Sequence, residues 1–153
     1  MKANYRKIIR LKEYDYSRIG YYFITICTHN RAPILCNIIC RGEHCSPKIN
    51  LTKIGNVVKK YICAINEKYK NVIIDEYVIM PNHIHMILAI QEAGEKSIIK
   101  IIQQFKGIVT KEVGCSIWQK SFYEHIIRNE KEYYMIKQYI QYNPINWEKD
   151  KYY

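Results

Sequence analysis

Two histidines, His83 and His85, stand one residue apart inside an apolar run, VIMPNHIHMIL, from Val78 to Leu88. Neutral imidazoles side by side can bind a divalent cation, and as imidazolium ions they would repel each other. A cation needs further donors. His29, His44 and His125 are candidates, and no Asp or Glu flanks the pair closely. Nothing has the H-E-x-x-H form of a zinc peptidase. Two histidines and one oxygen donor, open on one side, suit a cation that grips a phosphate. A second set lies near the C-terminus. Tyr139 and Asn143 are spaced i, i+4 and share one helix face. A tyrosine hydroxyl acts as a covalent nucleophile once its pKa falls or the developing charge is stabilised. An amide one turn away could complete a metal shell. Taken alone, each set also has a plain structural reading: strand histidines without a role, and one packing tyrosine among 15. A third cluster, Cys36, Cys40, His44 and Cys45, lacks a C-x-x-C pair and is read as ordinary reduced thiols.

These residues need elements to position them. YYFITICTH, Tyr21 to His29, is β-branched and aromatic, and reads as a strand stopped by NRAP. Residues 33–50 read as a loop or small hairpin. From Thr52 to Tyr69, Ile54, Val57, Val58, Tyr61, Ile62, Ile65 and Tyr69 recur at helical spacing, with Asn50 or Thr52 as the cap. Two β-rich runs flank MPNH within Asn71 to Ile90, which reads as a hairpin. On its second strand, period 2 puts His83 and His85 on one face and Ile84, Met86 and Leu88 on the other. Ser97 caps a second helix whose core face is Ile98, Ile101, Ile102, Phe105, Ile108 and Val109, and Gly114 ends it. Asn129 followed by Glu132 is a capping-box pattern for a third helix that runs to about Tyr142, before Pro144. On that helix Ile136 and Ile140 lie beside Tyr139 and would anchor it to a sheet. This order predicts an α+β fold: a central antiparallel sheet, ferredoxin-like, with helices packed on it and a C-terminal helix carrying the tyrosine.

The length of 153 residues fits one domain over 1–153. Lys and Arg number 24 against 14 acids, a formal net charge of +10. A domain this basic attracts polyanions, nucleic acid first among them. No run approaches the roughly 18 apolar residues of a membrane span. No secretion signal is apparent, so the expectation is a cytoplasmic, nucleoid-associated protein with no membrane partner.

The motifs together resemble a known family. PNHIHMIL is similar to the histidine–hydrophobe–histidine signature of the HUH single-strand endonucleases, and YIQYNP to the single-tyrosine motif of their small transposases. IIRLKEYDYSRIGYYFITICTHNR, IIQQFKGIVTKEVG, IWQKSFYEHIIRNEKEYYMIKQYIQYNP and NWEKD resemble one branch, the REP-associated tyrosine transposases, over about Ile8 to Asp150. The resemblance implies a ferredoxin-like domain with His83 and His85 as metal ligands and Tyr139 as nucleophile. Asn143 stands where such enzymes place a Gln or Asn as third ligand. It implies Mg²⁺ or Mn²⁺ as the cation, and nicking and strand transfer through a 5′-phosphotyrosine. The implied partner is single-stranded DNA with hairpin or inverted-repeat structure, met by a monomer or a homodimer. A basic N-terminal arm over about 1–20, with Arg6, Lys7, Arg10 and Lys12, would track phosphates, joined by Lys100, Lys106, Lys111, Lys120 and Arg128. His125 receives no role. The alternative from a different class is a non-catalytic single-strand nucleic-acid binder on the same fold.

Overall fold

A computed structural model describes residues 10–39, 46–94 and 96–152. Arg6 and Lys7, and the Cys40, His44 and Cys45 members of the thiol cluster, lie outside the described residues. Strand β1 (Gly20–Cys27) is followed by a short hairpin, β2 (Cys36–Ile39) and β3 (Lys48–Leu51). Helix α1 (Lys53–Lys68) leads to the long hairpin β4 (Val72–Ile79) and β5 (His83–Ile90). Helix α2 (Ile98–Val113), strand β6 (Tyr123–Ile127) and helix α3 (Glu130–Tyr142) complete the order. The main sheet runs β4-β5-β1-β6 with every pairing antiparallel. Each helical crossover therefore skips one strand, which is the ferredoxin-like topology expected from the element order.

Capping side chains set the helix starts. The Thr52 side chain accepts from Gly55 N, Ser97 from Lys100 N and Asn129 from Glu132 N, each satisfying an N–H with no partner inside its helix. Gly114 ends α2 with φ 85°, a left-handed conformation that glycine adopts without a Cβ clash. In α1, Gly55 has a packing reason: a Cβ there would lie 2.0 Å from Leu35 O.

The sheet is covered on both faces. Tyr22, Ile24 and Ile26 of β1 and Ile84, Met86, Leu88 and Ile90 of β5 meet Val58, Ile62 and Ile65 of α1 and Ile101, Ile102, Phe105 and Val109 of α2. The opposite face carries Phe23, Val78, Met80 and Ile87, closed by Ile140 and Ile136 of α3 and by Trp147. Strand β5 is consequently buried along its whole length. Ile108 departs from the expected core face of α2: it is 39% exposed and lines a shallow groove between α1 and α2 with Tyr61. The helix packs through five other apolar residues, and Ile108 falls at the edge of that stripe.

No helix among the described residues is long and apolar enough to cross a membrane.

Candidate active site at the α3 face of the sheet

The hairpin turn Met80–Pro81–Asn82 delivers His83 as the first residue of β5, with His85 two residues on and on the same face. Their rings stand 4.5 Å apart, centroid to centroid, and both are essentially fully buried. Neighbouring side chains orient each ring. Asn82 Nδ2 donates to Tyr152 O at 2.5 Å, which turns its Oδ1 toward His83 Nδ1 at 2.8 Å. His83 therefore carries its proton on Nδ1 and presents a bare Nε2. His85 Nδ1 lies 2.7 Å from Thr25 Oγ1 of β1, which leaves Nε2 facing α3.

Helix α3 brings the tyrosine to this pair. The Asn129 cap and the Glu132 carboxylate fix its start: Glu132 accepts from Arg128 N at 2.8 Å and lies 2.6 Å from His125 Nε2. His125 thus ties β6 to the first turn of α3 and does not join the histidine pair. A bulge in β4 between Ile74 and Glu76 turns Asp75 outward, where Tyr133 Oη donates to it at 2.7 Å. Gln141 Nε2 donates to Glu76 at 3.0 Å. Held at both ends, α3 sets Tyr139 Oη 3.4 Å from His85 Nε2. Phe23 meets the rings of both His85 and Tyr139, at 5.3 and 6.3 Å. Tyr139 remains 40% exposed, beside a cleft of about 290 Å³ bordered by Tyr142, Asn143, Lys149, Asp150 and Lys151.

The carboxylate absent from the neighbourhood of the histidines in sequence arrives from the C-terminal segment. After α3 the chain turns through Pro144 into a short 3-10 helix (Trp147–Lys149), and Asp150 folds back over β5. Its side chain is 2% exposed and its Oδ2 lies 4.0 Å from His83 Nε2. Asn143 Nδ2 donates to that same oxygen at 2.8 Å, and Tyr152 N donates to Oδ1 at 2.8 Å. One donor atom each from His83, His85 and Asp150 falls within a 4.8 Å cluster. Two buried polar atoms at this point, His83 Nε2 and Asn143 Oδ1, have no hydrogen-bond partner among the described residues. An oxygen and a nitrogen left unpaired beside a buried carboxylate suit a divalent cation.

Electrostatics keep the imidazoles neutral. Burial above all pushes His83 down to about 4; the Asp150 carboxylate opposes this, while Lys151 and Arg31 reinforce it. Burial, then His83, then Lys151 hold His85 well below the ordinary histidine value. Neutral rings keep their ligand lone pairs at pH 7. Burial and then Asp150 raise the Tyr139 hydroxyl above its ordinary value, so it needs positive charge nearby to ionise.

His83, His85, Asn143 and Tyr139 therefore lie together, a juxtaposition that the spacing within either motif did not by itself require. Asp150 lies among them although its neighbours in NWEKD gave no sign of a ligand. His29 sits exposed in a turn after β1, and buried Cys36 donates its thiol to Ile79 O; neither approaches the cluster. The expected DNA-binding cations scatter. Lys100 and Lys111 project from α2, which covers the opposite face of the sheet, and Lys120 and Arg128 are exposed. Lys106 is spent on main-chain carbonyls, Gln119 O at 2.6 Å among them. Arg10 lies over Phe122 and 3.6 Å from the buried Glu124, and Lys12 is exposed. Among the described residues, Arg31 and Lys151 act electrostatically on His83, and Lys149 and Lys151 border the cleft beside Tyr139; isolated surface charges carry no signal in sequence that would single them out.

Comparison with known proteins places this geometry. No family model matches the chain. An uncharacterized protein of Haemophilus influenzae is 37% identical over 98% of this chain and 94% of its own length. A REP-associated tyrosine transposase of Escherichia coli K12 is 36% identical over 73 residues, 47% of this chain and 44% of that protein. Among solved structures, a REP-associated tyrosine transposase bound to a REP hairpin superposes with a TM-score of 0.67 at 25% identity, covering 90% of this chain and 74% of its own. With two buried histidines on the central strand and a tyrosine helix across them, the chain is similar in sequence and in fold to the REP-associated tyrosine transposases.

Proposed function

We propose that this enzyme nicks single-stranded DNA at hairpin-forming repeats and transfers the strand through a covalent link to Tyr139. One observation carries the reading: the Tyr139 hydroxyl lies 3.4 Å from Nε2 of His85, which itself clusters with His83 and the Asp150 carboxylate. The relative solved on a REP hairpin supports hairpin DNA as the partner. Tyr139 reaches His85 of its own chain, which supports a reaction within one protomer working as one domain.

His83 and His85 would hold Mg²⁺ or Mn²⁺, with oxygen from Asp150 and from Asn143, whose Oδ1 is otherwise without a partner among the described residues. Bound there, the cation would offset charge on the scissile phosphate and on the developing phenolate. The chain's own residues do the rest. Asn82 and Thr25 fix the two rings, and Asn143 holds Asp150. Phe23 and the anchors of α3 aim the tyrosine, so that attack begins from a prearranged geometry. Tyr139 Oη forms a bond to phosphorus as the bond from phosphorus to O3′ breaks. The proton lost by the tyrosine is matched by one gained at O3′. A 5′-phosphotyrosine and a free 3′-OH result, and attack by the 3′-OH of another strand reverses the step without a nucleotide cofactor.

The test is incubation with end-labelled, hairpin-containing single-stranded DNA and Mg²⁺ or Mn²⁺, followed by denaturing electrophoresis. The expected result is a covalent adduct, lost in Tyr139→Phe. Cleavage that survives Tyr139→Phe points to hydrolysis by water, and a mobility shift without cleavage points to binding alone; either outcome overturns the proposal.

A further inference from the structure

The turn THNRAP carries a feature that the reaction above does not use. Asn30 and Arg31 adopt φ values of 52° and 54° in succession. Non-glycine residues in the left-handed region are held at a cost in free energy, and such strain persists where surrounding contacts enforce it. Here Thr28 enforces it. Its N–H donates to Asn82 O at 2.9 Å, and its buried Oγ1 donates to Ala32 O at 2.8 Å and Asn82 O at 3.0 Å. Arg31 N closes the turn onto Thr28 O at 3.1 Å. The turn is thus bolted to the residue that orients His83.

Its product is a guanidinium that has no counter-charge among the described residues, where no carboxylate forms an ion pair with Arg31. Its contacts are the Lys151 carbonyl at 3.4 Å and the Tyr152 ring at 5.7 Å, both neutral. It forms one wall of a solvent-open groove of about 510 Å³, shared with Pro33, Asn37, Pro81, Asn82 and Trp147, and no described residue of its lining is acidic. The groove starts at the site itself, because the Trp147 ring lies 6.0 Å from the His83 ring.

An arginine fork matches a phosphate, an indole face accepts a stacked base, and an exposed amide such as Asn37 can hydrogen-bond a base edge. We infer that this groove seats one nucleotide of the single strand next to the scissile phosphate, with Arg31 on its phosphate and Trp147 against its base. The inference rests on the strand-nicking reading, and it locates where the strand runs on leaving the site.

Salt dependence tests it. Binding of a hairpin-containing single strand is measured by fluorescence anisotropy over a range of KCl, with chelator present, for wild type, Arg31→Ala, Arg31→Lys, Trp147→Ala and Lys59→Ala. Thermal melts accompany each variant. For Arg31→Ala the expected result is a roughly tenfold loss of affinity and a fall of about 0.7 in the slope of log K against log salt, one single-strand phosphate contact. Arg31→Lys keeps the slope, since a cation remains. Trp147→Ala loses roughly tenfold with the slope unchanged, as loss of stacking requires. Lys59→Ala, on the exposed side of α1 over the far face, changes neither. An unchanged slope in Arg31→Ala, in a variant that melts as wild type does, overturns the inference. The strand-nicking reading is judged separately by the covalent adduct of wild type, so either claim can fail alone.

Discussion

Folding stability should fall steeply as the pH drops below 6.5 in cation-free buffer, because the site holds two imidazoles in their neutral form. His83 moves from 6.5 in the unfolded chain to about 4 in the folded protein, with burial as the main cause. A histidine with a depressed folded pKa binds more protons when unfolded. Its contribution is therefore complete above pH 6.5 and is lost as the pH falls toward 4. The span is roughly 2.5 pH units at about 1.4 kcal/mol each, so His83 alone accounts for about 3 kcal/mol. His85 shifts in the same direction and steepens the loss. Glu124, raised by burial, has the opposite sign: its ionisation disfavours the fold as the pH rises. Glu112 and Glu132, both lowered, act only below about 4.5, so the range from 6.5 to 5 belongs mainly to the histidine pair. Guanidinium unfolding followed by circular dichroism, between pH 7.5 and 4.5 with chelator, measures the effect. A slope above about 1.4 kcal/mol per pH unit, reduced in His83→Gln, is expected. A stability profile flat from pH 7 to 5, or one equally steep in His83→Gln, would refute the argument.

Three further outcomes follow from packing and polar contacts. Gly55→Ala forces a Cβ to within 2.0 Å of Leu35 O, a main-chain atom, and should cost at least about 1–3 kcal/mol by chemical denaturation. Asn129→Ala removes the cap of α3 and should cost about 1 kcal/mol, with slower adduct formation because the helix that aims Tyr139 loosens. Asp150→Asn removes the carboxylate nearest His83 Nε2 and should weaken Mn²⁺ binding, read by electron paramagnetic resonance of free Mn²⁺, at least tenfold on the scale of metal-site substitutions.

Much of this was legible in the residues themselves. Period 2 in β5 put His83 and His85 on one face, and Thr52, Ser97 and Asn129 marked three helix starts because short polar side chains satisfy free N–H groups locally. The i, i+4 spacing of Tyr139 and Asn143 likewise needed only helix geometry. What escaped depends on long-range packing. Burial of the histidines comes from α3 and the C-terminal segment, which cover the second face of the sheet, and no local pattern in β5 reports that cover. Asp150 enters the site by a turn after α3, with no periodicity to place it. Lys106 looks free on a helical wheel, yet a loop folds over it and its carbonyls accept the ammonium's hydrogen bonds. Arg31 depends on a left-handed turn that its own side chain does nothing to favour.

The central claim is that Tyr139 is the nucleophile, and the identity of the modified residue tests it most directly. Tyr152 also stands close to the pair, with its ring 4.6 Å from that of His83, so proximity alone does not decide between them. Wild-type protein would be trapped with hairpin-containing single-stranded DNA and Mn²⁺, digested with protease and nuclease, and mapped by peptide mass spectrometry. The account predicts a nucleotide remnant attached through a 5′-phosphate to Tyr139. A remnant on Tyr152, Tyr142 or any other residue, or cleavage with no modified peptide, would contradict it.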